Sequence, residues 1–148
     1  MGETRRRVLV LCTGNSCRSQ MAEGWIRHDL TERVEVFSAG TNPSHVHPLA
    51  VAVMAEAGVD LSAHRSKSVT EFAGHPFDLV VTVCDAAKEA CPMFPGAVRQ
   101  VHESVPDPAL AGAEGKVAMD RFRFVRDLIR ERIVPLVRRE LEFSEKTK

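Results

Sequence analysis

The chain has 148 residues, 44% of them hydrophobic and 27% charged, which predicts one globular domain over residues 1–148 with one core. Lysine plus arginine and aspartate plus glutamate number 20 each, so no net field favours nucleic acid or an anionic membrane surface. The apolar run 8–12 behind the basic N-terminus is too short for a signal-peptide core or a membrane span, and we expect a cytoplasmic protein.

The first half of the chain alternates strand and helix patterns. Residues 7–12 are apolar after Arg7 and include β-branched side chains, which predicts a buried strand ending in a glycine-containing turn. Apolar residues at helical spacing predict a helix over 17–30, and 34–38 has the composition of a second strand. A second helix is expected to begin at Pro48 and to stop at Gly58.

The second half continues the alternation. Residues 78–84 repeat the pattern of the first strand, 97–101 predicts a weaker fourth strand, and 117–142 predicts a long helix. Pro135 is expected to kink or break that helix. Strands alternating with helices predict an α/β fold in which helices cover both faces of a four-stranded parallel sheet. Ligands bind at the carboxyl ends of such strands, where Cys12 and Cys84 both fall.

The strongest motif is a cysteine and an arginine with five residues between them, Cys12 and Arg18, at the junction of the first strand and helix. A turn of this length can aim several backbone N–H groups at one point, and the helix N-terminus adds positive potential there. Arg18 can then grip a tetrahedral oxyanion, and the same field favours a nucleophilic Cys12 thiolate. Ser19 is placed to hydrogen-bond that sulfur. The expected oxyanion-binding residues are Thr13, Gly14, Asn15, Ser16, Cys17 and Arg18.

A plainer interpretation of this motif is a turn before an amphipathic helix, with Cys12 as a core residue and Arg18 on a solvated face. We favour the catalytic interpretation, because an anion-binding loop requires a strand before it and a helix after it. The motif resembles the loop of the low-molecular-weight tyrosine phosphatase family, including the arsenate reductases built on that fold, and the resemblance covers nearly the whole chain. It implies the three-layer α/β/α architecture of that family.

The four cysteines are not expected to form structural disulfides in a reducing compartment. Zinc is disfavoured and no bound metal is expected, because zinc knuckles usually space their ligands by about two to four residues. Cys12 and Cys17 are further apart than that, as are Cys84 and Cys91. We expect Cys17 to be a packing residue that points away from the ligand.

The segment from Cys84 to Cys91 is similar to the redox segment of thioredoxin-coupled arsenate reductases. Two unrelated packing cysteines are the alternative. A continuous helix over 84–91 would separate the two Cα atoms by about 10.5 Å, beyond the roughly 4.4–6.8 Å that a disulfide spans. We therefore hypothesise a helix-like reduced form and a looped, more exposed oxidised form.

The resemblance implies a series of chemical steps. Cys12 attacks the arsenic of arsenate, an acid protonates the departing oxygen, and Cys84 attacks the Cys12 sulfur and releases arsenite. Cys91 then displaces Cys12, and thioredoxin, the implied electron donor, reduces the Cys84–Cys91 disulfide. Asp107, in an Asp-Pro pair, matches the general acid of the family, although aspartate before proline is also a common loop residue. No bound cofactor is implied, and we expect a monomer.

Three other functions stay open. A phosphatase needs only one thiolate and an acid, but the chain has no tyrosine and places Ala109 after the Asp-Pro pair, where phosphatases of this fold typically have tyrosine. Large phosphoesters should therefore be poor substrates, while small aryl phosphates could be hydrolysed slowly. A phosphocysteine carrier would not need Arg18, Cys84 and Cys91. A non-catalytic arsenite-binding protein could use the three thiols as soft ligands.

Two weaker signals concern metals. Some reductases of the family hold potassium through Asn, Glu, Ser and Asp side chains, and three of these positions match: Asn15, Glu23 and Ser38. Lys67 stands at the fourth, where its ammonium group could replace the ion, so we predict that activity does not depend on potassium. The alternative is a solvated Lys67 with no site at all. His45 and His47 lack nearby acids or cysteines and are expected to be polar loop residues.

Overall fold

The structure is a computed structural model that describes residues 5–84, 93–109 and 112–141. Its elements in chain order are β1 (Arg6–Cys12), α1 (Arg18–Asp29), β2 (Val34–Gly40), α2 (Pro48–Glu56), a short 3-10 helix (Val69–Phe72), β3 (Leu79–Thr82), β4 (Gln100–His102) and α3 (Gly115–Glu140). Within these described residues, no helix is long and apolar enough to cross a membrane.

The four strands form one parallel sheet in the order β2-β1-β3-β4. This confirms the predicted α/β fold and its four-stranded parallel sheet. β1 lies at the centre, with Cys12 paired to Gly40 on one side and Leu11 paired to Thr82 on the other. The register therefore aligns the carboxyl ends of β1, β2 and β3. The last strand is shorter than predicted and starts later, at Gln100.

The three α-helices share one face of the sheet. Side chains alternate between faces along a strand, and Val8, Val10 and Cys12 belong to the buried cluster that includes α1, α2 and α3. α1 and α3 are also joined by a hydrogen bond from Trp25 Nε1 to the Arg126 carbonyl, at 3.0 Å. This packing fixes the N-terminus of α1 directly behind the end of β1.

The opposite face carries a second, smaller apolar cluster. Leu9 and Leu11 pack there with Phe77 and Phe94, and the 3-10 helix adds Phe72 to the rim. Rings in this cluster meet edge to face, as for Phe77 and Phe94, whose centroids are 5.5 Å apart at 74°. Both faces of the sheet are thus covered, as a parallel sheet requires.

α3 runs without a break through Pro135, so of the expected kink or break at that residue the break does not occur. Proline removes one backbone hydrogen bond, to the carbonyl of Glu131. Both Pro135 and Glu131 lie on the exposed side of the helix, where water can hydrate that carbonyl. On the other side, Ile133 and Val137 are fully buried and hold the helix against the sheet on both sides of the proline.

Candidate active site

Residues 12–18 form the cradle, whose backbone carbonyls point outward. The carbonyls of Cys12, Thr13, Gly14 and Ser16 accept backbone N–H groups of the 41–47 loop at 2.8–3.2 Å. The carbonyl of Asn15 accepts the side chain of Gln20 at 3.2 Å. In a trans peptide the carbonyl and the following N–H point in opposite directions. The N–H groups of residues 13–17 therefore face inward, which makes a binding site for an anion.

The backbone conformation of the cradle depends on two residues. Asn15 has a φ of 46° and lies in the left-handed region, which asparagine tolerates better than most residues. Gly40, at the end of β2, touches the cradle so closely that an added Cβ would lie 2.4 Å from the Thr13 carbonyl oxygen and 2.8 Å from the Asn15 nitrogen. A glycine is therefore required where β2 ends against the cradle.

Cys12 ends β1 inside the cradle and is 3% exposed. Its sulfur lies 2.9 Å from Ser19 Oγ and accepts the Asn15 backbone N–H at 3.3 Å. Ser19 Oγ itself accepts Asn15 Nδ2 at 2.8 Å, so its own hydrogen is available for the sulfur. Two hydrogen-bonding groups thus converge on the sulfur. The sequence prediction that Ser19 bonds this sulfur agrees with the geometry.

The cradle opens onto a pocket of about 270 Å³ that is lined by Cys12, Thr13, Gly14, Ser16, Cys17, Arg18, Asp107 and Ala109. Arg18 is 5% exposed, and its Nη1 donates to the Val105 carbonyl at 3.3 Å, which ties the guanidinium to the loop that carries Asp107. Oδ1 of Asp107 accepts the Ala109 N–H at 2.9 Å and is fixed at the wall of the pocket. A thiol, a guanidinium and a carboxylate thus face one anion-sized space.

The structure differs from our expectation for Cys17. The residue is buried, as a packing residue would be, but it lines the pocket, and its sulfur lies 3.8 Å from Asp107 Oδ1. Burial, followed by the negative charge of Asp107, raises the pKa of the Cys17 thiol to about 12. Cys17 is therefore a neutral thiol that can donate to Asp107. It turns toward the acid because it precedes the first turn of α1, whose N-terminus faces the pocket.

Cys84 lies just beyond β3 and is fully buried. The Val83 N–H donates to the Leu11 carbonyl at 3.0 Å. Cys84 and Cys12 are the next residues along the chain after this hydrogen-bonded pair. Cys84 is disulfide-bonded, whereas Cys12 and Cys17 are free thiols. Cys91 and the predicted change from helix to loop between the two redox cysteines lie outside the described residues.

The side chains suggested as potassium ligands bond to one another instead. Asn15 Nδ2 donates to Ser38 Oγ at 3.0 Å, and Ser38 Oγ donates to Glu23 Oε1 at 2.5 Å. The side-chain oxygen of Asn15, Oδ1, accepts the Lys67 backbone N–H at 2.8 Å, and the Lys67 ammonium donates to the Arg65 carbonyl at 3.0 Å. Oxygens engaged in this way do not fit a cation, and a lysine beside them adds positive charge. Potassium independence stays a prediction.

The two loop histidines take different positions. His47 caps α2, because its Nδ1 accepts the Leu49 N–H at 3.1 Å, and its ring lies 4.6 Å from that of Phe122. His45 is exposed, and its ring is 6.4 Å from that of His47. In the part of the chain that the structure describes, no three histidine, cysteine or acidic side chains cluster as metal ligands would.

Two residues next to the cradle were missed by the sequence analysis. Gln20 is fully buried and donates to Asn15, and His64 in turn contacts the Gln20 side chain. Sequence spacing could not connect residues that are 44 positions apart. The one available signal was a glutamine directly after Ser19, at a position that the start of a helix packed on a sheet would bury.

Comparison with known proteins identifies the family to which the chain is similar. The low molecular weight phosphotyrosine protein phosphatase family matches residues 7–146. An arsenate reductase of Bacillus licheniformis is 42% identical over 130 residues, which cover 88% of this chain and 94% of the relative.

Solved structures show similarity to the same group of proteins. A structure described as an arsenate reductase in the phosphate binding state superposes with a TM-score of 0.77 at 31% identity, covering 90% of this chain and 98% of the other. A thioredoxin-dependent arsenate reductase of Corynebacterium glutamicum superposes with a TM-score of 0.67 at 27% identity, covering 97% and 66% of the two chains. The chain therefore belongs to the low molecular weight phosphotyrosine protein phosphatase family and, within it, to the arsenate reductases.

Proposed function

We propose that this chain reduces arsenate to arsenite, with Cys12 as the nucleophile and thioredoxin as the source of electrons. One arrangement of residues is the main support for the proposal. A cysteine in an anion cradle ends β1, and a second cysteine, the disulfide-bonded Cys84, follows the neighbouring strand β3. A phosphatase of this fold needs the first cysteine but has no use for the second.

The first step is the attack of the Cys12 thiolate on arsenic. The inward N–H groups of the cradle and the Arg18 guanidinium bind the oxygens of arsenate and stabilise the charge that develops on them. Asp107, at the pocket wall, gives a proton to the departing oxygen, which leaves as water. The product is an arsenic(V) group bound to the sulfur of Cys12.

The second step reduces arsenic. The Cys84 thiolate attacks the sulfur of Cys12, the electron pair of the sulfur–arsenic bond stays with arsenic, and arsenite leaves as arsenic(III). A Cys12–Cys84 disulfide remains. Cys91 attacks the Cys84 sulfur, so Cys12 is released as a thiolate and a Cys84–Cys91 disulfide forms. A disulfide-bonded Cys84 beside a free Cys12 is the thiol state that this last exchange leaves.

Thioredoxin then supplies two electrons as a dithiol and restores the Cys84 and Cys91 thiols. The Corynebacterium glutamicum enzyme, whose structure superposes on this chain, is thioredoxin-dependent, which supports the choice of reductant. We propose that the chain acts as a monomer in the cytoplasm, where thioredoxin is kept reduced. It needs no bound cofactor, because its own thiols carry the electrons.

The test is a coupled assay with arsenate, thioredoxin, thioredoxin reductase and NADPH, followed through the loss of NADPH. We expect sustained, arsenate-dependent oxidation of NADPH by the wild-type chain and none by Cys12→Ser or Cys84→Ser. Val98→Ala, at an exposed position just before β4, is the matched control and should turn over like the wild type. Activity of Cys84→Ser equal to wild type would contradict the proposal.

The same variants separate reduction from phosphatase activity. Hydrolysis of a small aryl phosphate requires only the cradle and an acid, so Cys84→Ser should keep whatever slow hydrolysis the wild type has. If the wild type hydrolyses aryl phosphates rapidly and does not consume NADPH with arsenate, the chain is a phosphatase. If it binds arsenite without either turnover, it is a binding protein.

A further inference from the structure

His47 connects the cradle to the first turn of α2. Its backbone N–H donates to the Ser16 carbonyl of the cradle at 3.0 Å. Its imidazole Nδ1 accepts the Leu49 N–H at 3.1 Å and so caps the helix. Its own carbonyl accepts the Ala50 N–H at 3.0 Å, which starts the hydrogen bonding of α2. One residue therefore ends the loop that holds the cradle and begins the next helix.

The cap requires one protonation state of the ring. An imidazole nitrogen accepts a hydrogen bond only when it carries no hydrogen. Because Nδ1 of His47 accepts the Leu49 N–H, the neutral ring carries its hydrogen on Nε2. In the charged ring both nitrogens are donors, and the hydrogen on Nδ1 would point at the Leu49 N–H. Protonation of His47 therefore removes the cap.

Two further features oppose a positive charge on this ring. The N-terminus of a helix has a partial positive charge of its own, so a cation at the cap position is unfavourable. The ring is also partly buried against Phe122, and the two ring centroids are 4.6 Å apart. Burial makes the charged form of an imidazole less stable than it is in water.

The titratable groups around the ring act in opposite directions. Burial, the largest effect, lowers the pKa of His47, the nearby His45 lowers it further, and the Asp107 carboxylate opposes both. These two are the titratable groups that act on His47 within the described residues. α3 contributes Ala118 and Phe122 to the same space, and neither carries a charge. The net direction is downward, which agrees with the neutral ring that the cap requires.

We propose that His47 is a pH-sensitive switch between α2 and the cradle: its neutral ring caps α2 and keeps the 41–47 loop closed on the cradle, and its protonation releases the loop and weakens anion binding. The imidazole that holds α2 and the N–H that holds the Ser16 carbonyl belong to one residue, so the two contacts are directly coupled. The inference concerns the binding of the anion and not its reduction, and in this it goes beyond the proposed function.

The pH range follows from the direction of the pKa shift. In the unfolded chain His47 titrates near its ordinary value of about 6.5, whereas the folded chain holds its pKa lower. The unfolded state therefore binds more protons in this range, and stability rises with pH through it. The stabilisation by the neutral ring is present above about pH 6.5 and is lost as the pH falls through the folded pKa.

The experiment measures the dissociation constant of inorganic phosphate, a tetrahedral anion like arsenate, by isothermal titration calorimetry between pH 5 and 8. His47→Asn keeps the cap at every pH, because the asparagine side-chain oxygen is a good N-cap acceptor and does not titrate. His47→Ala removes the cap at every pH. His75→Asn, which removes an exposed histidine on the opposite face of the sheet, is the matched control. Each variant is compared with wild type at the same pH, so the titration of phosphate itself cancels.

At pH 8, we expect wild type and His47→Asn to bind phosphate within about twofold of each other. At pH 5, wild type should bind about fivefold more weakly than His47→Asn, the size of one lost N-cap interaction. His47→Ala should be weaker than His47→Asn by a similar factor at both pH values, and His75→Asn should follow wild type.

A ratio of the wild-type and His47→Asn dissociation constants that does not change with pH would overturn the inference and leave the proposed function standing. Failure of wild type to bind phosphate at any pH would refute the anion cradle, and with it both the inference and the proposed function. A cap that stabilises only α2 would lower the thermal midpoint of wild type relative to His47→Asn at pH 5 without changing the ratio of dissociation constants, which would also overturn the inference.

A measurement on the unmodified chain covers the case in which a variant does not fold. Long-range ¹H–¹⁵N correlation spectra of the imidazole rings distinguish the two neutral forms of histidine. We expect His47 to carry its hydrogen on Nε2 at pH 8 and to be half protonated below about pH 6.5. The backbone amide of Cys17, which shares a peptide unit with the Ser16 carbonyl, should shift with the same midpoint. A hydrogen on Nδ1 at pH 8, or a Cys17 amide that does not respond when the ring titrates, would contradict the inference.

Discussion

Two cysteines five positions apart have opposite environments in this site. The Cys12 sulfur lies 2.9 Å from Ser19 Oγ and accepts the Asn15 backbone N–H. Cys17 faces the Asp107 carboxylate from a buried position, which favours the neutral thiol. The same short loop therefore holds two thiols in opposite environments, one surrounded by hydrogen-bond donors and the other facing a carboxylate.

This contrast predicts selective alkylation. The pKa of Cys17 is raised to about 12, so its thiol stays protonated at pH 8, and Cys12 should react at least about 100-fold faster with iodoacetamide. Fragmentation of the tryptic peptide 8–18 by mass spectrometry distinguishes the two sites. Equal labelling of both cysteines in the folded, reduced protein would show that Cys17 does not have the environment described. The urea-unfolded chain is the control and should lose the selectivity.

At the scale of elements, β2 supports the cradle from the side. The loop that follows β2 supplies the N–H groups that hold four cradle carbonyls outward, and Gly40 allows the strand to approach the cradle without a side chain between them. The anion site thus depends on two strands and on the loop that follows each of them, β1 with the cradle and β2 with the 41–47 loop.

Gly40→Ala tests this contact. The new methyl group would need to occupy space 2.4 Å from the Thr13 carbonyl oxygen, so the cradle must shift and kcat/KM for arsenate should fall about 100-fold. Gly74→Ala is the matched control. Gly74 has a positive φ of 83°, at which an alanine is strained, but there is open space where its Cβ would lie. This variant should therefore lose stability and keep kcat/KM. Unchanged turnover by Gly40→Ala would contradict a required close approach.

The long helix shows where sequence patterns fail at this scale. Pro135 predicts a kink or a break, yet α3 continues unbroken to Glu140. The proline and the carbonyl that it leaves unbonded both face solvent, while Ile133 and Val137 stay in the core. Local propensity was overridden by packing that only the assembled sheet provides.

Across the whole molecule, the sequence determines the fold and the nucleophile more clearly than the support around them. Hydrophobic alternation predicts the strands, and the spacing of Cys12 and Arg18 predicts the cradle, since both are local in the chain. The link from His64 through Gln20 to Asn15 is not local, and its donors and acceptors depend on tertiary contacts. Cys17 was misjudged for the same reason, because Asp107 reaches it from 90 positions away.

The carboxyl ends of the neighbouring parallel strands β1 and β3 place Cys12 and Cys84 at the same edge of the sheet, and the proposed function requires oxidation to pass between them. In the proposed reaction, the first thiol attacks the oxyanion and the second attacks the first. If Cys91 then removes the oxidation from Cys12, its loss should stop the relay midway.

The most direct measurement is a single turnover of Cys91→Ser with excess arsenate. We expect one arsenite per chain, no further turnover on addition of thioredoxin, its reductase and NADPH, and a Cys12–Cys84 disulfide in the peptide map. Sustained NADPH oxidation by Cys91→Ser, or one arsenite released with Cys84 still a free thiol, would contradict the account.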